Sequence, residues 1–333
     1  MEGTGRGGTA TLAIVVPTFN RQQSVVRLAA QVAPWTGTGE GGVVAVFYDD
    51  GSTDQTYAAL QPYRGAALEV VRNEANQGYA ETLVRAVSEC EAEWIMMVAD
   101  DDVFVPRPGQ VDELTAWLHR EEPDFVCTQW LRSDGRLYRG SSSSGPISAG
   151  SLRAVASHAP GLVYRSSAAR RALPTLRREL DRGSHAAFVY PQVVLAAELF
   201  AAGAKALFWP DSLIREGSAL PSGIRDLKGR RYASTASRMA QAVAFDQLYR
   251  QMEREAPDAE YRRRCRTFRQ ENEIRLARAL TRLLRRHFPR DVPTREMYSV
   301  VARSSLRLLR RNLRRRASGW RHLRPRAHEG AGH

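Results

Sequence analysis

Apolar blocks alternate with polar blocks along the N-terminal part of the chain. The apolar blocks predict four strands, at Leu12–Val16, Val43–Tyr48, Leu68–Val71 and Trp94–Val98. Stretches with helical spacing lie between them, over residues 24–32, 57–60 and 79–90. This alternation of strands and helices predicts an α/β fold in which helices cover both faces of a mostly parallel sheet.

A polar cluster follows each of the four predicted strands. The clusters are Thr18–Arg21, Asp49–Asp54, Arg72–Gly78 and Asp100–Asp102. Ligands of parallel α/β sheets bind at the carboxyl ends of the strands, where the loops gather. We therefore expect the four clusters to lie together and to form one site.

The last cluster consists of three consecutive carboxylates, Asp100, Asp101 and Asp102. Adjacent carboxylates repel one another unless a cation lies among them. Hard divalent ions such as Mn²⁺ and Mg²⁺ prefer oxygen ligands and keep positions open for phosphate oxygens. The triplet therefore indicates a metal bridge to a diphosphate, and the alternative is a solvated acidic turn.

The second half of the chain has a weaker pattern. It predicts helices over residues 111–120 and 191–202, and strands at Phe125–Leu131 and Gly161–Arg165. The Ser/Gly-rich stretch Gly140–Ser151 is either a mobile lid or a long loop. From residue 232 to 316 the pattern is helical and rich in arginine.

Charge is distributed unevenly. The net charge is +13, yet residues 261–326 alone contain 22 arginines and four acidic residues, so the rest of the chain is mildly acidic. The basic helices could lie on an anionic membrane surface or form a solvated helical cap. Nucleic-acid binding is disfavoured because few aromatic residues accompany the arginines.

Three widely spaced cysteines, Cys90, Cys127 and Cys265, fit a reducing compartment. The chain has no run of 18 uncharged apolar residues. We therefore expect a cytoplasmic protein, with peripheral contact to a membrane as an option.

Four motifs in series carry a family resemblance. They are Ile-Val-Val-Pro-Thr-Phe-Asn-Arg from Ile14, Asp-Asp-Gly-Ser-Thr-Asp from Asp49, Arg-Asn-Glu-Ala-Asn-Gln-Gly from Arg72, and the aspartate triplet. With this order and spacing the chain resembles the family 2 glycosyltransferases of the GT-A fold. The resemblance implies metal-dependent, inverting transfer of a sugar from a nucleoside-diphosphate sugar to an acceptor hydroxyl.

Composition and pattern, together with the resemblance over roughly residues 12–106, predict a division of the chain. Residues 1–11 would be a flexible tail, and residues 12–220 would form the glycosyltransferase domain. Within it, residues 12–106 would bind the nucleotide and residues 107–220 the acceptor. Residues 225–320 would form an Arg-rich helical extension.

By the same resemblance, the first three loops and Asp100 of the triplet contact the nucleotide sugar. The implied residues are Pro17, Thr18, Asn20, Arg21, Asp49, Asp50, Arg72, Asn76, Gly78 and Asp100. Asp49 can accept a hydrogen bond from the N–H of a pyrimidine, and Arg72 can offset phosphate charge. Asp50 and Ser52 are equally well explained by turn chemistry, and Thr53 or Asp54 by helix capping.

The triplet can be aligned with the family's Asp-X-Asp motif in two registers. Alignment on Pro106 places Ala99 at the first Asp and Asp101 at the second, which is the usual metal ligand. In the other register, Asp100 and Asp102 form the motif. Asp101 is therefore the leading candidate ligand for Mn²⁺ or Mg²⁺, and Asp102 follows.

In inverting members an acidic residue at the start of a later helix removes the acceptor proton. The matching stretch here is Glu179–His185, where Ser184 and His185 replace the usual acidic pair. A histidine of near-neutral pKa can act as a general base. His185 is thus the candidate base and Asp181 its rival; Asp211 and Arg215 are further candidates to face the site.

Two other functions stay open. A sugar-1-phosphate nucleotidyltransferase has a related fold, but its Gly-rich opening loop with Arg and Lys has no counterpart around Pro17–Asn20. A non-catalytic sugar-nucleotide-binding protein would agree with Ala99 and with the missing acidic pair.

Overall fold

A computed structural model describes residues 10–37, 41–217 and 235–286. The strands are β1 Leu12–Thr18, β2 Val43–Asp49, β3 Leu68–Arg72, β4 Trp94–Met97, β5 Val103–Phe104, β6 Phe125–Cys127, β7 Trp130–Leu131, β8 Leu137–Arg139, β9 Gly145–Pro146, β10 Leu162–Arg165, β11 Ala206–Phe208 and β12 Ile214–Arg215. The helices are α1 Gln22–Val32, α2 Thr56–Leu60, α3 Tyr79–Glu89, α4 Gln110–Glu121, α5 Leu152–Ala156, α6 Ser166–Asp181, α7 His185–Val189, α8 Pro191–Ala202, α9 Thr235–Arg254 and α10 Ala259–Arg286.

The large sheet has the strand order β3-β2-β1-β4-β10-β6-β11-β9. Strands β3, β2, β1 and β4 run parallel, and β10 lies antiparallel between β4 and β6. The predicted α/β fold with a mostly parallel sheet is confirmed.

Strand β1 is apolar on both faces because helices cover both sides of the sheet. Leu12, Ile14 and Val16 face the core built with α1 and α4. Ala13 and Val15 face the opposite core, built with α3, α5, α6 and α8. The unbroken apolar run at the start of the chain follows from this double burial.

Pro17 does not end the first strand, because β1 continues to Thr18 with Pro17 paired to Tyr48. On its other side β1 pairs with β4 only as far as Val15. The last backbone bond on that side runs from the amide of Val98 to Val15 O at 3.0 Å. Pro17 lies beyond the end of the paired residues, where its missing N–H removes no bond of this ladder.

The single strand predicted at Phe125–Leu131 is wrong, since the chain leaves the large sheet after β6. Strand β7 belongs to a second sheet with the order β5-β12-β7-β8. Between the two strands, the amide of Thr128 bonds to Gly161 O at 3.1 Å and that of Gln129 to Asp211 O at 2.9 Å. These long-range bonds redirect the chain, and no local pattern encodes them.

The Ser/Gly-rich stretch Gly140–Ser151 contributes β9, the edge strand of the large sheet. Strand β9 pairs antiparallel with β11. Ile147 is buried, and its amide bonds to Ala206 O at 2.8 Å. Whether the stretch also acts as a lid stays a prediction.

Two compact units divide the chain, Met1–Phe268 and Arg269–His333. In the first unit, Phe245, Tyr249 and Phe268 are buried in the same core as α3, α6 and α8. This unit therefore continues past residue 220, where the sequence pattern places the end of the domain. The described part of the second unit is helical. Residues 1–9, 218–234 and 287–320 of the predicted tail and extension lie outside the described residues.

Several arginines of the basic region have acidic partners. Arg263 and Arg264 both pair with Glu260, and Arg266 pairs with Glu253 at 2.6 Å. The start of the region thus resembles a solvated helical cap. In the described ranges, no helix combines the length and the apolar character needed to cross a membrane.

Replacing Phe245 with alanine tests whether α9 is part of the main core. Phe245 is fully buried, so we expect Phe245→Ala to lower the free energy of unfolding by about 3 kcal/mol. Urea denaturation followed by circular dichroism measures this, with Phe188→Ala as the control because Phe188 is 41% exposed. Equal midpoints for the two variants would contradict the packing of α9.

Candidate functional site

The parallel register of three strands forms a polar row at the carboxyl edge of the sheet. Thr18 is the pairing partner of Asp49, and Asp49 is the partner of Arg72. Asp49 is 1% exposed, and its Oδ2 lies 3.3 Å from Arg72 Nε. Arg72 also donates to Ser52 O at 2.9 Å. The guanidinium thus holds the Asp49 carboxylate in place, and its predicted phosphate role stays a prediction.

Asp50 connects two of the polar loops. Its carboxylate accepts hydrogen bonds from Asn73 Nδ2 at 2.7 Å, from the Gln77 amide at 2.9 Å and from the Gly78 amide at 2.8 Å. The amide of Gly78 also donates to Asn76 Oδ1 at 2.9 Å. In this structure Asp50 therefore braces the loop between β3 and α3.

Asn20 makes a similar connection between the first two loops. Its Oδ1 accepts from the Thr53 amide at 2.8 Å and the Asp54 amide at 3.3 Å. The backbone amide of Asn20 donates to Ser52 Oγ at 2.9 Å. Asn20 has φ 53°, a left-handed conformation that asparagine tolerates better than most residues. Its side chain positions the loop that carries Asp49.

Gly51 was not a candidate from the sequence, although it lies within the Asp-Gly-Ser motif. Its φ is +69°, and an added Cβ would lie 2.6 Å from the backbone carbon of Ala75. The loops after β2 and β3 therefore pack backbone against backbone at this point, which only glycine permits.

Asp100 links the acidic triplet to the first loop. Its Oδ2 accepts a hydrogen bond from Thr18 Oγ1 at 2.8 Å, and its Oδ1 lies 3.9 Å from Arg21 Nε. Burial raises the pKa of Asp100 to about 6, and the charge of Asp101 adds to this rise. The hydrogen bond from Thr18 and the charge of Arg21 act in the opposite direction.

Asp102 is the most buried member of the triplet. Burial raises its pKa to about 8, and the charge of Asp101 raises it further. Its Oδ2 has no hydrogen-bond partner in the part of the chain that the structure describes. The backbone of Gly217 and the side chain of Trp130 act in the opposite direction. The raised pKa values of Asp100 and Asp102 show that the triplet resists carrying three negative charges without a cation.

These carboxylates fit one part of a divalent-metal site. Over the described ranges, no group of three or more His, Cys, Asp or Glu side chains forms a complete ligand set. Asp101 is partly exposed, and Asp102 keeps an oxygen without a donor. Mn²⁺ or Mg²⁺ could therefore be held here if phosphate oxygens supplied the remaining ligands.

Gly217, which was not a site candidate from the sequence, lies against the triplet. A Cβ at Gly217 would overlap the carbonyl oxygen of Asp101. Arg27 Nη2 donates to the same carbonyl at 3.4 Å. The segment after β12 therefore lies against the acidic cluster.

The candidate bases lie on neighbouring helices. Asp181 is exposed as the last residue of α6, and His185 is the first residue of α7. Helix α7 packs against α3, α6, α8 and α9. Asp211 lies 3.5 Å from Arg107, and Arg215 is part of β12. Catalytic roles for these residues stay predictions.

Comparison with known proteins agrees with the motifs. The sequence profile of glycosyl transferase family 2 matches residues 13–173. A Haemophilus influenzae protein described as an uncharacterized glycosyltransferase is 30% identical over 95 residues, which cover 28% of this chain and 31% of that protein. Residues 13–173, just under half of the chain, therefore match the family profile, and the predicted resemblance to the family 2 glycosyltransferases is confirmed.

Solved structures with a similar fold include S. aureus TarS. One TarS structure has a TM-score of 0.56 at 16% identity, covering 84% of this chain and 44% of TarS. A shorter TarS chain, residues 1–349 in complex with UDP-GlcNAc, has a TM-score of 0.57 at 15% identity, covering 88% and 79% of the two chains. The chain thus spans less than half of the H. influenzae protein and of the longer TarS chain. At this identity the likeness establishes the GT-A fold alone.

Replacing Gly51 with alanine tests the contact between the two loops. We expect Gly51→Ala to destabilise the protein by about 2–4 kcal/mol, because both its φ and the Ala75 backbone oppose a Cβ. Gly109→Ala is a matched control, since Gly109 has φ +75° but open space around it. Urea unfolding compares the two variants, and equal destabilisation would contradict the loop contact.

Proposed function

We propose that the protein is a metal-dependent, inverting glycosyltransferase. It would move a sugar from a nucleoside-diphosphate sugar to an acceptor hydroxyl. The family match supports the reaction class. The observation that carries the proposal is the 2.8 Å hydrogen bond from Thr18 to Asp100, which joins the nucleotide loop to the acidic triplet.

Asp49 supports a pyrimidine nucleotide in the donor. Its Oδ2 is buried at the sheet edge and has no hydrogen-bond donor among the described residues, although the Arg72 guanidinium lies close by. This oxygen can accept from the ring N–H of a uracil or thymine base. The same fold accommodates UDP-GlcNAc in S. aureus TarS.

Asp101 and Asp102 are the residues that we propose to hold Mn²⁺ or Mg²⁺. A divalent ion there would neutralise the charge that develops on the departing diphosphate. Asp100, bonded to Thr18, would keep the triplet aligned with the nucleotide loop. Arg21 lies near the same carboxylate and would reduce its repulsion with the donor phosphates.

The acceptor step needs a proton acceptor. We propose that His185, or its rival Asp181, removes the proton of the attacking hydroxyl. The acceptor oxygen then bonds to the anomeric carbon as the bond from that carbon to the diphosphate breaks. A single displacement of this kind inverts the anomeric configuration.

A membrane-linked acceptor would suit the basic C-terminal helices. Contact with an anionic membrane surface depends on arginines without acidic partners. The described ion pairs place two carboxylates, Glu260 and Glu253, against Arg263, Arg264 and Arg266. The membrane proposal therefore rests on the other arginines of residues 261–326.

Removal of the metal and of its proposed ligand tests the mechanism. With Mn²⁺ and a panel of sugar nucleotides, we expect the wild type to release nucleoside diphosphate, and EDTA to abolish this release. We expect Asp101→Asn to lower kcat by about 100-fold or more, because charge stabilisation of the leaving group is lost. Asp112→Asn, an exposed carboxylate on α4, is the control.

Turnover that survives both EDTA and Asp101→Asn would contradict the mechanism. Nucleotide binding without turnover would favour the non-catalytic alternative. Release of pyrophosphate from a nucleoside triphosphate and a sugar 1-phosphate would favour the nucleotidyltransferase.

A further inference from the structure

Three aromatic rings form a cluster on the second sheet. Trp130 stacks on His158 with ring centroids 5.3 Å apart. Tyr138 meets Trp130 edge to face at 5.1 Å and His158 edge to face at 4.9 Å. Trp130 is buried, whereas Tyr138 is 45% exposed. The cluster therefore presents one supported aromatic ring to the solvent.

A buried arginine connects the strand that carries Tyr138 to the segment that carries His158. Arg139 follows Tyr138 on β8 and donates to the backbone carbonyls of Val155, His158 and Pro160. These bonds tie the segment that carries His158 to the β7–β8 hairpin. Strongly buried arginine is uncommon, and here it bonds to carbonyl oxygens. The aromatic cluster is thus rigidly built.

The cluster is close to the acidic triplet through the second sheet. Ile214 of β12 pairs with Phe104 of β5 on one side and with Trp130 of β7 on the other. Strand β5 begins directly after Asp102. Two strand spacings, about 10 Å, therefore separate the strand after the triplet from the strand of Trp130, and a third spacing, about 14 Å in all, leads to β8 with Tyr138. Gly217, just after β12, lies against Asp101.

The exposed part of the Tyr138 ring is suited to contact with a sugar ring. The face of an aromatic ring is electron-rich and attracts the weakly positive C–H groups on the apolar face of a pyranose. The Arg132 guanidinium lies over one face of the Tyr138 ring, 4.9 Å from its centroid, so a pyranose would stack on the opposite face. The same guanidinium carries hydrogen-bond donors for sugar hydroxyls at the ring edge. An aromatic surface with adjacent donors is the combination that carbohydrate binding requires.

We propose that Tyr138, supported by Trp130 and His158, is an acceptor subsite that binds a pyranose ring. The inference rests on the proposed function and adds its acceptor class, which is a carbohydrate. The bound ring would neighbour the sugar unit whose hydroxyl attacks the donor. Tyr138 positions the acceptor and takes no part in proton transfer.

Saturation-transfer difference NMR tests the subsite directly. The probes are methyl glycosides of glucose, galactose, mannose and N-acetylglucosamine, with UDP and Mn²⁺ present. We expect at least one glycoside to bind the wild type and to bind Tyr138→Ala about tenfold more weakly. Tyr138→Phe keeps the ring and should bind within about twofold of the wild type, since stacking remains.

Leu137→Ala is the matched control. Leu137 is 47% exposed on the same short strand, and neighbouring strand residues point to opposite faces. Its glycoside binding should equal that of the wild type. No binding to the wild type, unchanged binding to Tyr138→Ala, or equal losses in Tyr138→Phe and Tyr138→Ala would each overturn the proposal.

Release of UDP from donor without acceptor, measured on the same samples, separates the two levels of inference. Leu137→Ala should retain this release, because the nucleotide loops and the triplet are unchanged. If the wild type releases no nucleoside diphosphate from any donor, the proposed function fails. The NMR measurement of glycoside binding at Tyr138 does not depend on that result.

Discussion

The parallel register of β1, β2 and β3 is the constraint on which the site depends. It places Thr18, Asp49 and Arg72 side by side where the three strands end. A slip of one residue would turn each side chain to the other face of the sheet. Burial of β1 on both faces holds this strand inside the sheet, so the core that stabilises the fold also supports the polar row at its end.

Hydrogen bonds between the loops then hold this row of polar side chains in place. Asn20 holds the loop after β2, and Asp50 holds the loop after β3. Both side chains bond to groups of the protein itself, so the loops are held in this arrangement before any ligand binds. The triplet is different, because burial and mutual repulsion raise the pKa values of Asp100 and Asp102. A cation bridging to a diphosphate would relieve that repulsion.

The sequence predicts the edge of the sheet well and the packing around it poorly. Apolar runs mark β1, β2 and β4 because these strands are buried along almost their whole length, and the edge strand β3 is marked by its buried Leu68 and Val70. Motif order likewise predicts that Thr18 and Asp100 share a site. In contrast, the split between β6 and β7 depends on bonds to Gly161 and Asp211, which are distant in the chain. The bracing role of Asn20 and the approach of Gly217 to Asp101 are long-range contacts of the same kind.

A crystal structure with a pyrimidine nucleoside diphosphate and Mn²⁺ tests the central claim most directly. The account predicts density for the base beside Asp49, for the diphosphate near Asp100, and an anomalous manganese signal at Asp101. Nucleotide bound away from the carboxyl edge of the large sheet, or manganese away from the triplet, would contradict it.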